Sequence, residues 1–437
     1  MKKRLVAVIL SAALGMTMLA GCGNEGTPSR GGDSVENDLS DTTGDDTGAT
    51  VSGEGGSGVD SSEEGGVANS SGSAGDSGAE TENYDGKLVS AGTMQMDFAK
   101  GFSIELFEGG YRMITVGAPG EKYLVVPEGM SVPGDTDETV TVLQLPIDKA
   151  YIASTSMVSL MNAIGALDYV RLVATDVDGW YIEEVSKAME DGSIGFSGNY
   201  KEPDYEMMVD QGIRLHLDNA MVDSVPEVNE KFTELGIPNL VEISSKESHP
   251  LARVEWVKML GVLFGREAEA QAYFDSQKAL MEQATAAEST GITVAMGYIT
   301  SSGKCYARNG GDYLVQMIQL AGGDYICADM EPEESGNTSM TFEEWYAAFK
   351  DADYLFYWNL GNKFYSIQEM TEYEPLFADF KAVREGHVWI TSPDFTQATS
   401  AISSIVSDMH TILSSENPNT VTTDHLIKLP QEAEGQD

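Results

Sequence analysis

Residues 248–264 read SHPLARVEWVKMLGVLF, and this stretch decides the fold because its apolar side chains recur at helical spacing. The repeating positions are Leu251, Val254, Val257, Leu260 and Phe264. Ser248, His249 and Pro250 give a start signal for the helix. Helical composition then continues to about Ala287 without a strand pattern, with Gly265 as a candidate kink. We therefore predict one long helix in the middle of the folded part.

Strand and helix patterns alternate on both sides of this helix. Before it, strand patterns run from Val140–Leu145 to Pro238–Ile243, and after it from Ile292–Ile299 to His387–Ile390. Alternation of this kind is typical of mainly parallel sheets that are covered by helices. We predict an α/β fold in which one long rigid helix joins two α/β lobes.

The other domain boundaries follow from composition and length. Residues 88–139 contain short strand patterns separated by Gly-rich turns, which predict a small β extension. The folded part of about 350 residues is more than one hydrophobic core usually serves. The predicted units are the β extension (88–139), the first lobe (140–247), the linking helix (248–290), the second lobe (291–427) and a tail (428–437).

The first residues of the chain form a secretory signal that ends in Leu19-Ala-Gly-Cys22. Met1-Lys-Lys-Arg4 is cationic, and the apolar run after it is shorter than the roughly 20 residues that a membrane-spanning helix needs. Residues 1–22 resemble the bacterial lipoprotein signal, in which the cysteine becomes the lipid-bearing mature N-terminus. We expect Cys22 to carry a lipid anchor; a plain secreted protein is the alternative.

Residues 23–87 consist mainly of Gly, Ser, Thr, Asp, Glu and Asn. With so few apolar side chains to bury, this segment is expected to be a disordered acidic tether. The whole chain has a net charge of −44, which argues against nucleic acid as a partner because binding phosphates requires a basic surface.

Five short motifs follow one another along the predicted lobes. They are Thr233-Glu-Leu-Gly-Ile-Pro238, Leu260-Gly-Val-Leu-Phe-Gly-Arg-Glu267, Tyr306-Ala-Arg-Asn-Gly-Gly-Asp-Tyr313, Leu320-Ala-Gly-Gly-Asp324 and Met340-Thr-Phe-Glu-Glu344. In this order, behind a lipoprotein signal, they resemble the substrate-binding lipoproteins of ABC importers for iron siderophores, haem and cobalamin. The resemblance covers about residues 140–415. It implies a monomeric, lipid-anchored receptor outside the cytoplasm that holds a metal chelate between its lobes and delivers it to a permease.

The same resemblance implies two acidic residues that dock onto arginines of the permease. By motif position they are Glu206 in Pro203-Asp-Tyr-Glu206 and Glu343 in Met340-Thr-Phe-Glu343. Each lies in the first turn of a predicted helix. The helix dipole also favours a negative side chain there, which is the alternative explanation.

Candidate ligand contacts follow from their place after strands, because the carboxyl ends of parallel strands line the crevice where ligands bind. In the first lobe they are Ser154, Thr155, Ser156, Trp180, Tyr181, Tyr200, Lys201 and Asn219. In the second lobe they are Tyr298, Arg308, Trp358, Asn359, Tyr365 and Phe395. His249 at the start of the linking helix is a further candidate, since it can ligate haem iron or cobalt.

Four of these candidates have a particular chemistry. Trp180 and Tyr181 place two large rings in a loop of otherwise small residues, which suits a large, partly apolar ligand. Arg308 and Lys201 can bind ligand carboxylates. Arg308 has an equal alternative, an ion pair with Asp312.

The sequence does not favour a bare-metal receptor or an enzyme. It has five histidines and no His-x-His or Cys-x-x-Cys spacing, so we expect no protein metal site and no resident cofactor, and the ligand itself to carry any iron or cobalt. Cys305 and Cys327 can form a disulfide or remain buried thiols. Neither a Gly-x-Ser-x-Gly elbow nor a Walker loop occurs, so catalysis is not expected. A sensor or adhesion lipoprotein without an importer is the alternative function.

Overall fold

The structure is a computed structural model that describes residues 86–285, 288–361 and 363–432. The signal, Cys22 and nearly all of the tether lie outside the described residues, and so do residues 433–437 of the tail. Within the described ranges, no helix combines the length and the apolar character needed to cross a membrane.

An N-terminal sheet comes first in the chain. Its five strands lie in the order β1-β2-β3-β4-β5 and are antiparallel except for the parallel pair β4 and β5. The strands are β1 (Ser90–Thr93), β2 (Phe102–Phe107), β3 (Arg112–Gly117), β4 (Gly120–Val126) and β5 (Thr141–Gln144).

The place of β5 corrects one prediction. Val140–Leu145 was expected to be the first strand of the first lobe, but Thr141–Gln144 pairs with Tyr123–Val126 of the N-terminal sheet. The alternation of apolar residues in a strand predicts which face is buried but not which neighbouring strand it pairs with. The N-terminal sheet therefore extends beyond residue 139, where the β extension was expected to end.

The first lobe is built on a sheet of five parallel strands in the order β10-β9-β6-β7-β8. Because all five strands are parallel, their carboxyl ends lie at one edge of the sheet. Its elements are β6 (Ala150–Ile152), α1 (Thr155–Ala163), β7 (Val170–Val173), α2 (Glu183–Glu190), β8 (Gly195–Phe196), α3 (Tyr205–Gln211), β9 (Leu215–Asn219), α4 (Pro226–Glu234) and β10 (Asn239–Glu242).

The sequence predicts one long helix between the lobes. The segment is helical in the structure, but it is divided into three helices. It consists of α5 (Pro250–Glu255), α6 (Val257–Phe264) and α7 (Glu267–Ala284). Gly265 has φ +65° and ends α6 in the left-handed conformation that glycine adopts readily. The chain reverses enough at this point for α7 to pack against α6. We call α5, α6 and α7 together the linking helices.

The second lobe contains a mixed seven-stranded sheet in the order β14-β12-β11-β15-β16-β17, with β13 beside β11. The strands β13, β15 and β16 run parallel to β11, whereas β12, β14 and β17 are antiparallel to their neighbours. Its elements are β11 (Thr293–Ile299), β12 (Cys305–Arg308), α8 (Tyr313–Leu320), β13 (Asp324–Tyr325), β14 (Asn337–Met340), α9 (Phe342–Phe349), β15 (Tyr354–Tyr357), α10 (Ile367–Tyr373), α11 (Lys381–Glu385), β16 (Val388–Thr391), α12 (Ile402–Ser414) and β17 (Leu426–Lys428).

Two buried carboxylates bind the loop 97–101 of the N-terminal sheet to the linking helices. Glu255 accepts hydrogen bonds from the backbone amides of residues 97, 98 and 99 at 2.7–2.8 Å, and from Lys258 Nζ at 2.6 Å. Glu247 accepts from the amides of residues 100 and 101 and from Trp256 Nε1. Both carboxylates are satisfied by several donors, which is what makes a buried charge tolerable.

Replacing Glu255 with alanine should lower the free energy of unfolding by about 3–5 kcal/mol, because it leaves Lys258 as a buried charge without its carboxylate partner. Urea unfolding followed by circular dichroism measures this. Glu269→Ala is the matched control, since Glu269 forms an exposed ion pair with Arg266 that is worth at most about 1 kcal/mol. Equal losses in the two variants would contradict the prediction.

Candidate functional site

A glutamine side chain of the second lobe forms hydrogen bonds directly with the first lobe. Gln397 lies in the 3-10 segment Phe395–Ala401 of the second lobe. Its Nε2 donates to the carbonyl oxygen of Gly179 at 2.7 Å, and its Oε1 accepts from the backbone amide of Tyr181 at 3.0 Å. One side chain therefore holds two backbone groups of the loop that follows β7.

A second contact between the lobes lies close to this glutamine in the chain. Ser159 Oγ of α1 donates to Ser400 Oγ at 2.9 Å and accepts from the Ser400 amide at 3.2 Å. Helix α1 packs against the segment Phe395–Ala401. This segment is therefore the surface through which the second lobe meets the first.

A cavity of about 40 Å³ lies at the same junction. Its walls come from α1, α5, α8 and α12 and from the residues that precede α12: Ser156, Arg253, Tyr313, Leu314, Met317, Phe395, Thr396, Ala398, Thr399, Ile402 and Ile405. Pockets that bury a small organic ligand measure roughly 300–1,000 Å³. The cavity is therefore too small for an organic ligand of this size as the lobes lie in this structure.

Trp180 and Tyr181 have different environments within one loop. The Trp180 ring is buried, and its Nε1 donates to the Thr175 carbonyl oxygen at 3.0 Å. The Tyr181 side chain is 52% exposed, although its amide is held by Gln397. Trp180 thus fixes the loop to the first lobe and leaves Tyr181 accessible.

An aromatic cluster from the second lobe lies next to the cavity. Tyr298 stacks on Tyr306 with ring centroids 5.1 Å apart and meets Trp358 edge to face at 5.4 Å. Trp358 in turn meets Phe395, a cavity wall, at 6.5 Å. The structure thus brings together three sequence candidates, Tyr298, Trp358 and Phe395.

Two arginines stack on aromatic rings beside the cavity. The Arg308 guanidinium lies 3.9 Å from the centroid of the Trp358 ring and 3.8 Å from Asp312 Oδ2. The predicted alternative, an Arg308–Asp312 ion pair, is thus present, but both residues are buried and not on the surface. Arg253, which the sequence reasoning missed, lies 3.8 Å from the centroid of the Tyr313 ring.

Ser154 is buried, and its hydroxyl is used within the first lobe. It donates to Glu242 Oε1 at 2.9 Å and accepts from the Met157 amide as the N-cap of α1. Burial raises the pKa of the Glu242 carboxyl, against opposing contributions from its hydrogen bonds and from Arg253. Among its neighbours, Ser156 reaches the cavity, while Thr155 is half-buried at the start of α1.

The remaining candidates do not line the cavity. His249 caps α5, its Nδ1 accepting from the Leu251 amide, and its ring stacks on Phe98 at 4.4 Å, toward the N-terminal sheet. Burial lowers the pKa of this imidazole. The others lie in the loops that follow strands. Tyr200 is half-buried beside exposed Lys201, and Asn219 caps the turn after β9. Asn359 accepts a hydrogen bond from the Phe364 amide, and Tyr365 is exposed.

Glu206 and Glu343 are both exposed in the structure, in the first turns of α3 and α9. The helix dipole and the predicted docking role are both compatible with this position. Their contact with a permease stays a prediction.

The histidines, acids and cysteines of the described residues do not form a metal site, and both cysteines there are free. No group of three or more His, Cys, Asp or Glu side chains that could hold a metal ion occurs in this part of the chain. Cys305 and Cys327 are both free, and burial raises the pKa of each thiol to about 11.

Comparison with known proteins identifies the fold. No family model matches the chain. An uncharacterized lipoprotein of Methanocaldococcus jannaschii is 26% identical over 319 residues, which are 69% of this chain and 75% of that protein. The periplasmic heme-binding protein HutB of Vibrio cholerae matches with a TM-score of 0.50 at 12% identity, over 62% of this chain and 100% of its own. The chain has the fold of the periplasmic solute-binding proteins.

A periplasmic heme-binding protein of Pseudomonas aeruginosa is also similar, with a TM-score of 0.49 and 13% identity over 66% of this chain and 99% of its own. The fold shared with the Vibrio cholerae protein confirms the predicted α/β class and, at the level of the fold, the resemblance drawn from the five motifs. At these identities the likeness concerns the backbone architecture alone.

Gln397→Ala should loosen the contact between the lobes in the ligand-free protein. Because the Tyr181 amide then loses its acceptor, its hydrogen exchange should become about fivefold faster, as expected for one hydrogen bond of about 1 kcal/mol. Exchange measured by mass spectrometry of the peptide that contains Tyr181 checks this. Gln368→Ala, which removes an exposed bond to Glu372, is the control; unchanged exchange at Tyr181 in Gln397→Ala would contradict the role of the glutamine.

Proposed function

We propose that this protein is a solute-binding lipoprotein of an ABC import system that works outside the cytoplasm. It captures an iron-siderophore, haem or cobalamin-type ligand between its lobes and delivers the ligand to a membrane permease. The observation that carries the proposal is the junction of the two lobes, where walls from both lobes enclose a cavity beside an aromatic cluster.

The comparisons support the class of ligand. The solved structures with this fold include proteins described as heme-binding, and the relative from Methanocaldococcus jannaschii is described as a lipoprotein. Large rings such as Trp358 and Phe395 provide stiff apolar area with little entropy to lose, which suits a large, partly apolar ligand.

Delivery requires that the receptor stay near the permease and then dock. The lipid expected at Cys22 and the tether over residues 23–87 supply the first requirement, because a tethered receptor has a high effective concentration at its partner. The exposed carboxylates of Glu206 and Glu343, one on each lobe, supply the second. Because the two carboxylates lie on different lobes, their separation depends on how far the lobes have closed on a ligand.

Ligand capture should change the intrinsic tryptophan fluorescence of the full-length chain. Titration with ferric siderophores, haem and cobalamin should give a saturable change with at least one of them, because Trp358 and Trp180 lie at the junction of the lobes. Trp358→Phe should reduce the response, whereas Trp389→Phe, a buried ring that lies under Lys428, should preserve it. A chain that responds to none of these ligands would refute the assignment.

Charge reversal at both docking residues, Glu206→Lys with Glu343→Lys, should abolish uptake and leave ligand affinity unchanged. Both side chains are exposed, so the folded protein should tolerate the change. Uptake of the identified ligand by cells and its affinity for the purified chain are the two measurements. Glu230→Lys with Glu372→Lys, exposed acids on α4 and α10, forms the control; normal uptake by the Glu206/Glu343 variant would exclude the docking role.

A further inference from the structure

The charge of the cavity is opposite to that of the protein. The chain has 70 acidic and 26 basic side chains, and yet the described residues that line the cavity include one arginine and no acid. The other polar groups of this lining belong to Ser156, Thr396, Thr399 and Tyr313, whose hydroxyls can all donate hydrogen bonds. A cavity lined in this way favours a group that accepts hydrogen bonds and carries negative charge.

Arg253 is the charged residue of this lining. Its guanidinium stacks on Tyr313 at 3.8 Å, which fixes the orientation of the donors. Its Nε is buried and has no hydrogen-bond partner among the described residues. Leaving a buried donor without a hydrogen-bond partner costs free energy. The ligand-free protein carries this cost at the cavity wall.

Two buried acids of this region are already engaged in hydrogen bonds. Glu242, whose carboxyl feels the charge of Arg253, is hydrogen-bonded to Ser154 Oγ and to the Ser244 amide. Asp312 accepts from the amides of Leu314 and Gly336. These bonds leave the guanidinium of Arg253 available for a ligand.

A second buried cation lies behind the aromatic wall of the cavity. Arg308 is 4% exposed and stacks on Trp358, and its Nε and Nη2 have no hydrogen-bond partner among the described residues. Its distance of 3.8 Å to Asp312 is too long for a hydrogen bond. Arg308 is therefore a second arginine of this region with unsatisfied donors, and Asp312 balances its charge.

We propose that Arg253 binds a carboxylate of the captured ligand, and that the ligand class is therefore a carboxylate-bearing organic chelate or tetrapyrrole. This inference rests on the proposed function. The planar guanidinium matches a carboxylate through two parallel hydrogen bonds. The apolar walls formed by Leu314, Met317 and Ile405 fit an organic body and offer nothing to a bare phosphate ion.

The test compares Arg253→Gln and Arg253→Lys with the unaltered full-length chain by isothermal titration calorimetry. The probes are haemin and ferric citrate, which carry carboxylates, ferrioxamine B, which carries none, metal-free citrate, and inorganic phosphate. Arg266→Gln is the matched control, because Arg266 follows α6 in the same helical region and pairs with Glu269 outside the cavity lining. Thermal unfolding of each variant verifies that it is folded.

We expect Arg253→Gln to raise the Kd for the tightest carboxylate-bearing probe about 10- to 100-fold, as for lost hydrogen bonds to a charged group. Arg253→Lys should recover part of this affinity, Arg266→Gln should match the unaltered chain, and phosphate should not compete. An unchanged Kd in Arg253→Gln, or phosphate binding in place of the carboxylate probes, would overturn the inference.

The outcomes also separate this inference from the proposed function. If the metal complexes bind with the same affinity to Arg253→Gln and to the unaltered chain, the function stands and the carboxylate contact is wrong. If metal-free citrate binds in an Arg253-dependent way and no metal complex or tetrapyrrole binds, the carboxylate contact stands and the proposed ligand class is wrong. A chain that binds none of the probes refutes both.

Discussion

The buried carboxylates of Glu247 and Glu255 hold the molecule together at its centre. Five successive backbone amides of the loop 97–101 point at these two side chains, and the ammonium of Lys258 balances the charge of Glu255. Every residue except proline supplies a backbone amide, so these five donors do not depend on the side chains of the loop, and the geometry is strongly determined. The N-terminal sheet is thereby fixed to the linking helices, and α7 packs in turn against α12 of the second lobe.

The junction of the lobes combines polar and apolar contacts, because buried side chains of α1 and of the segment Phe395–Ala401 belong to one hydrophobic cluster. Gln397 and the pair Ser159–Ser400 supply hydrogen bonds that water can replace. In the proposed binding mode, a ligand would have to contribute contacts of its own to separate the lobes. Arg308 and Trp358 both belong to the second lobe, so their stacking does not depend on the junction between the lobes.

Much of the architecture could be predicted from the sequence, because helical spacing and strand–helix alternation are local properties. Gly265 was predicted as a candidate kink, but the complete break there could not be predicted, since the composition is helical on both sides of it and only the packing of α6 on α7 requires the turn. Nor could the partner of β5 be predicted. Trp358 and Phe395 were found at the site because they follow strands, whereas Arg253 and Gln397 were missed because neither directly follows a strand. His249 was predicted to face the ligand because it begins a helix between the lobes. Its ring stacks on Phe98 and so points toward the N-terminal sheet, which the sequence pattern does not indicate.

The entry point of the chain has a mechanical consequence. Residues 23–87 precede β1, and the sheet of β1 is bound to the linking helices by Glu247 and Glu255 and to the first lobe by the hydrogen bond from Arg214 to the Gln144 carbonyl oxygen. A pull on the chain before β1 therefore reaches this sheet first. In the proposed lipid-anchored receptor, the buried carboxylates would bear such a pull, and the hydrogen bonds of Gln397 between the lobes would be spared.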